Sequence, residues 1–182
     1  MAKTGNLVDG LLEEQVRLLE QLRQSFFHVV PDTLRTHCML TARINVAVLR
    51  HFGVKARLLP CQLLYSASTQ VVLNGFVGNK PSKGRWDGHV VCAAQDWIID
   101  CALYRLKADF DFDVPSVVAA RRIPIPSQAI ARWAANETEQ IWWSLPPPGF
   151  DTKPPGVPAQ LVAGYSAALI NHLGEGAVRS YG

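Results

Sequence analysis

Three residues of this 182-residue chain, Cys38, His89 and Asp100, have the types and the order needed for covalent acyl chemistry. A thiol becomes an effective nucleophile when a base within hydrogen-bond reach takes its proton and an acid or amide orients that base. Cys38 opens the very apolar stretch "CMLTARINVAVLRHFG". His89 begins one short apolar run, "HVVCAA", and Asp100 closes the next, "WIID".

With Thr36 as the N-cap, Cys38 falls in the first turn of a helix. There, unpaired N–H groups and the positive end of the dipole favour thiolate. Such a site, with a neighbouring imidazolium, can lower a cysteine pKa from about 8.5 to between about 3.5 and 7.5. The Cys38 N–H would also point at an oxyanion formed on an attacked carbonyl.

The two apolar runs predict a hairpin, and its turn decides whether His89 and Asp100 meet. If Ala94-Gln95 is the two-residue loop, His89 sits opposite Asp100 with Cβ atoms about 5 Å apart. If Gln95-Asp96 is the loop, Asp100 faces Val91 and is a diagonal neighbour of His89 on the same face. Pairing Asp100 with Val90 would put it on the opposite face and break the set.

The surrounding elements are legible in outline. Leu12, Val16, Leu19, Leu22 and Phe26 recur at steps of three and four, which predicts an amphipathic helix within residues 1–30. "VVPDTLRTH" ends it, because Pro31 disfavours a helical residue before it. The Cys38 helix is apolar on most sides, as a central helix is, and stops at Gly53, suited to a left-handed cap.

In "VKARLLPCQLLY", Pro60 cannot donate to a ladder and predicts an edge or bulge. "TQVVLNGFVG" reads as a strand, and residues 78–88 as a loop in which Trp86 could wall a cleft. "SVVAARRIPIP" predicts a strand, "SQAIARWAA" a short helix capped by Ser127, and Trp142-Trp143 a packing anchor for an irregular tail. A proline-rich connector (144–158) precedes a final helix (159–173) whose apolar stripe would lie back on the same domain or form a dimer contact.

Composition narrows the classes. The length suits one domain over residues 1–182, since domains cluster near about 100 to 150 residues. A hydrophobic fraction of 48%, 18% charged residues and no apolar run near the roughly 20 residues needed to cross a bilayer predict a soluble protein with no membrane partner. The acidic N-terminal stretch does not suit a secretory signal, and Cys38, Cys61, Cys92 and Cys101 are too few and scattered for a disulfide scaffold, so a cytoplasmic setting is expected. A net charge of +3 with dispersed Lys and Arg gives no nucleic-acid footprint. No Cys-x-x-Cys or His-x-x-x-His pair occurs, so no metal or other cofactor is expected.

"CMLTARINVAVLRHFGVKAR", followed by "DGHVV" and "WIID", resembles the transglutaminase-like branch of the papain-like cysteine enzymes. Its pattern is a Cys opening a helix as C-x-x-x-A, an L-R-x-x-G-[IV]-x-A-R ending, and a strand pair bearing His and then Asp. Cys38, Ala42, Leu49-Arg50, Gly53-Val54, Ala56-Arg57, His89 and Asp100 match it in order, over about residues 36–101.

The resemblance implies an α+β fold with the Cys-bearing helix packed on an antiparallel sheet that carries His and Asp. It implies amide hydrolysis or transfer on a peptide or protein through a thioester, with peptidase ahead of transglutaminase and deamidase. Trp86 and His37 are the candidate substrate contacts. The rival expectation is a binding or regulatory module that keeps the fold without turnover. It rests on Val90, where the family often has an aromatic residue, and on the lack of an evident side-chain oxyanion donor upstream of Cys38, where Thr36 and His37 are only nearby polar groups.

Overall fold

The computed structural model describes residues 5–67, 70–75, 88–110, 112–123, 128–148, 152–153 and 156–179. Helix α1 (Gly5–Val29) buries Leu19, Leu22 and Phe26 and carries the Glu20–Arg23 ion pair outside, as the periodicity predicts. Val16, placed on the apolar stripe by its spacing, is instead exposed. A short 3-10 turn, Asp32–Leu34, then reverses the chain.

Helix α2 (Cys38–His51) starts one residue later than a Thr36 cap would require. His37 is the N-cap and makes no side-chain cap bond, while the Thr36 hydroxyl turns back to the Thr33 carbonyl at 3.4 Å. The far end of α2 closes as its sequence predicts. Gly53 has φ +76°, its N–H bonds the Arg50 carbonyl, and the Val54 N–H bonds the Leu49 carbonyl at 2.9 Å. This Schellman pattern satisfies carbonyls that the helix cannot, and Leu49 and Val54 join the same buried cluster.

Strands β1 (Ala56–Ser66), β2 (Val71–Asn74), β3 (His89–Ala94) and β4 (Trp97–Asp100) follow, then helix α3 (Tyr104–Phe110), strands β5 (Val118–Arg121), β6 (Ala129–Ala134) and β7 (Gln140–Ser144), and helix α4 (Ala159–Arg179). The seven strands form one antiparallel sheet in the order β5-β4-β3-β1-β7-β6, with β2 also on β1. An isolated bridge between Arg122 and Ala131, with the Ile123 N–H on the Ile130 carbonyl at 2.7 Å, brings β5 to β6 and nearly closes the sheet.

Three sequence expectations fail here for one reason. Pro60 lies inside a central strand rather than at an edge: at that residue β1 pairs only with β3, and β7 pairing begins at Gln62. The missing N–H is tolerated because one side of β1 has no partner there. The stretch "SQAIARWAA" is not a helix capped by Ser127, which lies outside the described residues; from Ala129 it is strand β6, paired with β7. Trp142-Trp143 belongs to β7 rather than to an irregular tail. In each case long-range pairing overrides local propensity.

The sheet separates two apolar layers. Leu63, Tyr65, Ile98, Ile141 and Trp143 fill the inner face, while Phe26, Ile44, Leu49 and Leu169 from α1, α2 and α4 cover Cys92, Ala94 and Ile99 on the other. The final helix lies back on α1 and α2, with Leu169 and Leu173 buried and Leu161 exposed. The protein is therefore α+β. Among the described residues no helix is long and apolar enough to cross a membrane.

Two backbone positions give predictions of opposite sign. Nothing lies within 4 Å of where a Gly53 Cβ would stand, so Gly53→Ala carries only the left-handed backbone cost and should destabilise by about 1 kcal/mol. Gln95, at φ 50° in the β3–β4 turn, bears that cost already. Gln95→Gly should stabilise by about 0.5–1 kcal/mol. Urea unfolding at pH 7 reads both, and two shifts of the same sign would contradict the assignment.

Candidate active site

Val90 fixes where α2 meets the sheet. Its side chain is buried with those of Met39 and Ala42, one turn apart on α2, so the start of the helix lies against the start of β3. A branched aliphatic residue fits under the helix at this point. Cys38, the first helical residue, is partly exposed, and His89, the first residue of β3, is buried.

The hairpin adopts the second of the two productive registers. Cys92 pairs with Ile99 and Ala94 with Trp97, which leaves Gln95-Asp96 as the loop and sets Asp100 across from Val91, diagonal to His89 on one face. His89 Nε2 and Asp100 Oδ2 are 2.6 Å apart. Asp100, 1% exposed, accepts two further bonds: the Trp143 Nε1–H on Oδ2 at 2.8 Å and the Ala102 backbone N–H on Oδ1 at 3.0 Å. Donors from β3, β7 and the segment after β4 thus hold one carboxylate, which fixes the imidazole plane.

With Nε2 turned to Asp100, Nδ1 is the ring nitrogen left for the thiol. It is buried without a closed hydrogen bond, so the Cys38–His89 contact is looser than the His89–Asp100 bond, as such contacts often are before a substrate tightens them. The electrostatics still couple the pair. Burial alone would push the Cys38 thiol up, but the proximity and charge of His89, with the Val90 backbone N–H, outweigh it and hold the thiol below the usual thiol range. Burial would pull His89 down, but the Asp100 charge and hydrogen bond, with Cys38, outweigh it and raise His89 from 6.5 to about 10. The imidazolium form of His89 is favoured at neutral pH, and its charge shifts Cys38 toward thiolate.

The other cysteines go the opposite way. Burial raises Cys61 and Cys101, and raises Cys92 to about 12. These three are core thiols, as their apolar strand context predicts.

A cleft of about 550 Å³ opens at Cys38. Leu63, Leu73, Leu103, Leu106 and Phe110 make its walls apolar, and Thr36, His37, Asn74 and Arg105 are its polar positions. His37, expected as a substrate contact, lies exposed in this lining; Trp86, the other expected contact, is outside the described residues. The uncapped start of α2 presents its first N–H groups here, which suits an oxyanion. Among the described residues no three His, Cys, Asp or Glu side chains gather as metal ligands would.

Sequence reasoning missed Trp143, Asn74 and the α3 wall. Trp143 is 43 residues from Asp100, and only the β1–β7 pairing brings it there. Asn74, the side-chain amide in the cleft lining, ends a four-residue strand and carries no motif.

No family model matches the chain, and no curated protein matches it. A crystal structure described only as that of a genomics target is similar at 15% identity, with a TM-score of 0.44, over 84% of this chain and 77% of that one.

Proposed function

We propose that the protein is a cysteine-dependent amide hydrolase or acyl transferase of transglutaminase-like, papain-like architecture, acting on peptide or protein substrates, with peptidase activity ahead of transglutaminase or deamidase activity. One observation carries the reading: a partly exposed thiol at a helix N-terminus stands beside a buried histidine that is locked to a buried carboxylate at 2.6 Å. A core thiol needs no cleft and no oriented base. The apolar walls suit an apolar group beside the scissile carbonyl.

In this reading the Cys38 thiolate forms a C–S bond to the carbonyl carbon, and the π electrons move to oxygen, where the α2 N–H groups receive the charge. Collapse breaks the C–N bond as the His89 Nδ1 proton passes to the leaving amine, giving a thioester. Water, or an amine in transfer, then gives its proton to Nδ1 as it attacks. The second collapse breaks the C–S bond and restores the thiolate. Asp100 holds the Nε2–H tautomer throughout.

The pH dependence of Cys38 alkylation by iodoacetamide, read by peptide mass spectrometry from about pH 4 to pH 10, tests the pair. The wild-type onset should lie below pH 9.0, and His89→Ala, which leaves burial unopposed by the imidazolium, should move it upward. Asp100→Asn removes the charge that raises His89, so His89 loses its proton at lower pH and the Cys38 onset moves up. The rate near pH 6.5 should then fall by roughly tenfold for each unit of that move. A Cys38 that titrates like a free thiol in every variant would instead favour a binding module without turnover.

Turnover is tested on a mixed peptide library with and without a primary amine. The wild type should release new termini or amine adducts and show a hydroxylamine-labile acyl mass on Cys38. Cys38→Ala should lower product formation by at least about a thousandfold. Products unchanged in that variant would sink the proposal.

A further inference from the structure

The opposite end of α2 carries a second concavity, of about 530 Å³, between the Gly53 cap, the start of β1 and the β3–β4 turn. Arg50, Lys55, Arg57 and Arg122 line it, with Gln95 and small aliphatic residues; no described Asp or Glu does. None of the four cations makes an ion pair among the described residues. The Arg50 Nε–H is used by the Ala56 carbonyl at 2.9 Å, whereas the Arg122 Nε is buried without a partner.

Helix-end compensation does not account for this group. Cations near a helix C-terminus offset its negative pole, and Arg50 qualifies. Arg57, however, belongs to β1 and Arg122 follows β5, and the N–H groups of Phe52, Gly53 and Val54 already bond the last α2 carbonyls. Four like charges in one concavity, without ion pairs among the described residues, repel each other and focus a positive potential. A multivalent anion would relieve that repulsion.

We propose that this concavity binds a short phosphate chain, a di- or triphosphate, free or as part of a nucleotide. Several separate cations exceed what one phosphate group needs, and arginine forks with a lysine point charge suit adjacent phosphate oxygens. Among the described residues no aromatic side chain is in the lining to stack a base, so the phosphate chain carries the affinity. The site lies about 20 Å from Cys38, the length of the 14-residue helix, and does not depend on the thiol chemistry.

Isothermal titration of the full chain with sodium tripolyphosphate in 150 mM-range salt without divalent ions tests the site, beside ATP, adenosine and a single-stranded oligonucleotide. Tripolyphosphate should bind one saturable site with a Kd on the order of 10–100 μM. ATP should lie within about threefold of it, adenosine should not bind, and Cys38→Ala should bind as the wild type does. Lys55→Glu with Arg122→Glu should weaken binding at least about tenfold, and Lys55→Gln with Arg57→Gln, both exposed positions, serves if the first pair unfolds. Unsaturable heats, unchanged affinity in a folded double variant, or binding only to adenosine-bearing ligands or only to the oligonucleotide would each overturn the proposal.

Discussion

A buried carboxylate is the constraint on which the rest of the arrangement depends. Asp100 is shielded from water, and an ionised carboxylate in such a place is tolerable only when charged or N–H donors surround it. Its donors come from three places in the chain: His89 at the start of β3, the indole of Trp143 on β7, and the Ala102 N–H just after β4. The sheet must therefore bring β7 round against β1 before the carboxylate is satisfied. Sheet closure and the orientation of the imidazole are then one event. Removing one partner from such a group typically costs about 3–5 kcal/mol, far more than an exposed pair such as Glu20–Arg23 contributes.

Helix α2 links this constraint to the solvent. Its apolar sides bury it between the sheet and α4, so neither end can drift. The N-terminal end has no side-chain cap, which leaves N–H groups and the thiol facing a cleft; the C-terminal end is closed by the Gly53 turn. Arg35 ties the entry segment down. Its guanidinium pairs with Asp32 and lies over the rings of Phe27 and Tyr104 at 4.8 and 5.4 Å, joining α1, the turn before Cys38 and the start of α3. A cation three residues before Cys38 thereby contacts a ring four residues after Asp100.

What could be read from the sequence was what is local. The Cys38 helix, its Gly53 stop and the His89–Asp100 hairpin follow from short-range periodicity and turn spacing, and the two productive registers differed by a single step. Trp143 and β6 were not legible, because their state is set by pairing with distant strands: Ala129–Ala134 is alanine-rich enough to read as helix until β7 lies beside it. Pro60 misled for the same reason, since its harmlessness depends on where β7 begins. The basic residues looked dispersed along the chain, yet Arg122 joins Arg50, Lys55 and Arg57 once β5 is in place. Periodicity reports which face is apolar but not which neighbour covers it.

The four thiols show how burial and charge divide the work. Burial alone raises a thiol pKa, and it does so at Cys61, Cys92 and Cys101, where no imidazolium opposes it effectively. At Cys101 the Asn45 side-chain N–H bonds the sulfur at 3.1 Å and lowers the value, but burial still wins. At Cys38 burial is again the largest single influence, and there it loses, because the adjacent His89 contributes a positive charge. That charge is present at neutral pH only because Asp100 stabilises it against the cost of burying His89. The proton affinity of a partly exposed thiol is thus tied to a carboxylate that is itself out of reach of solvent.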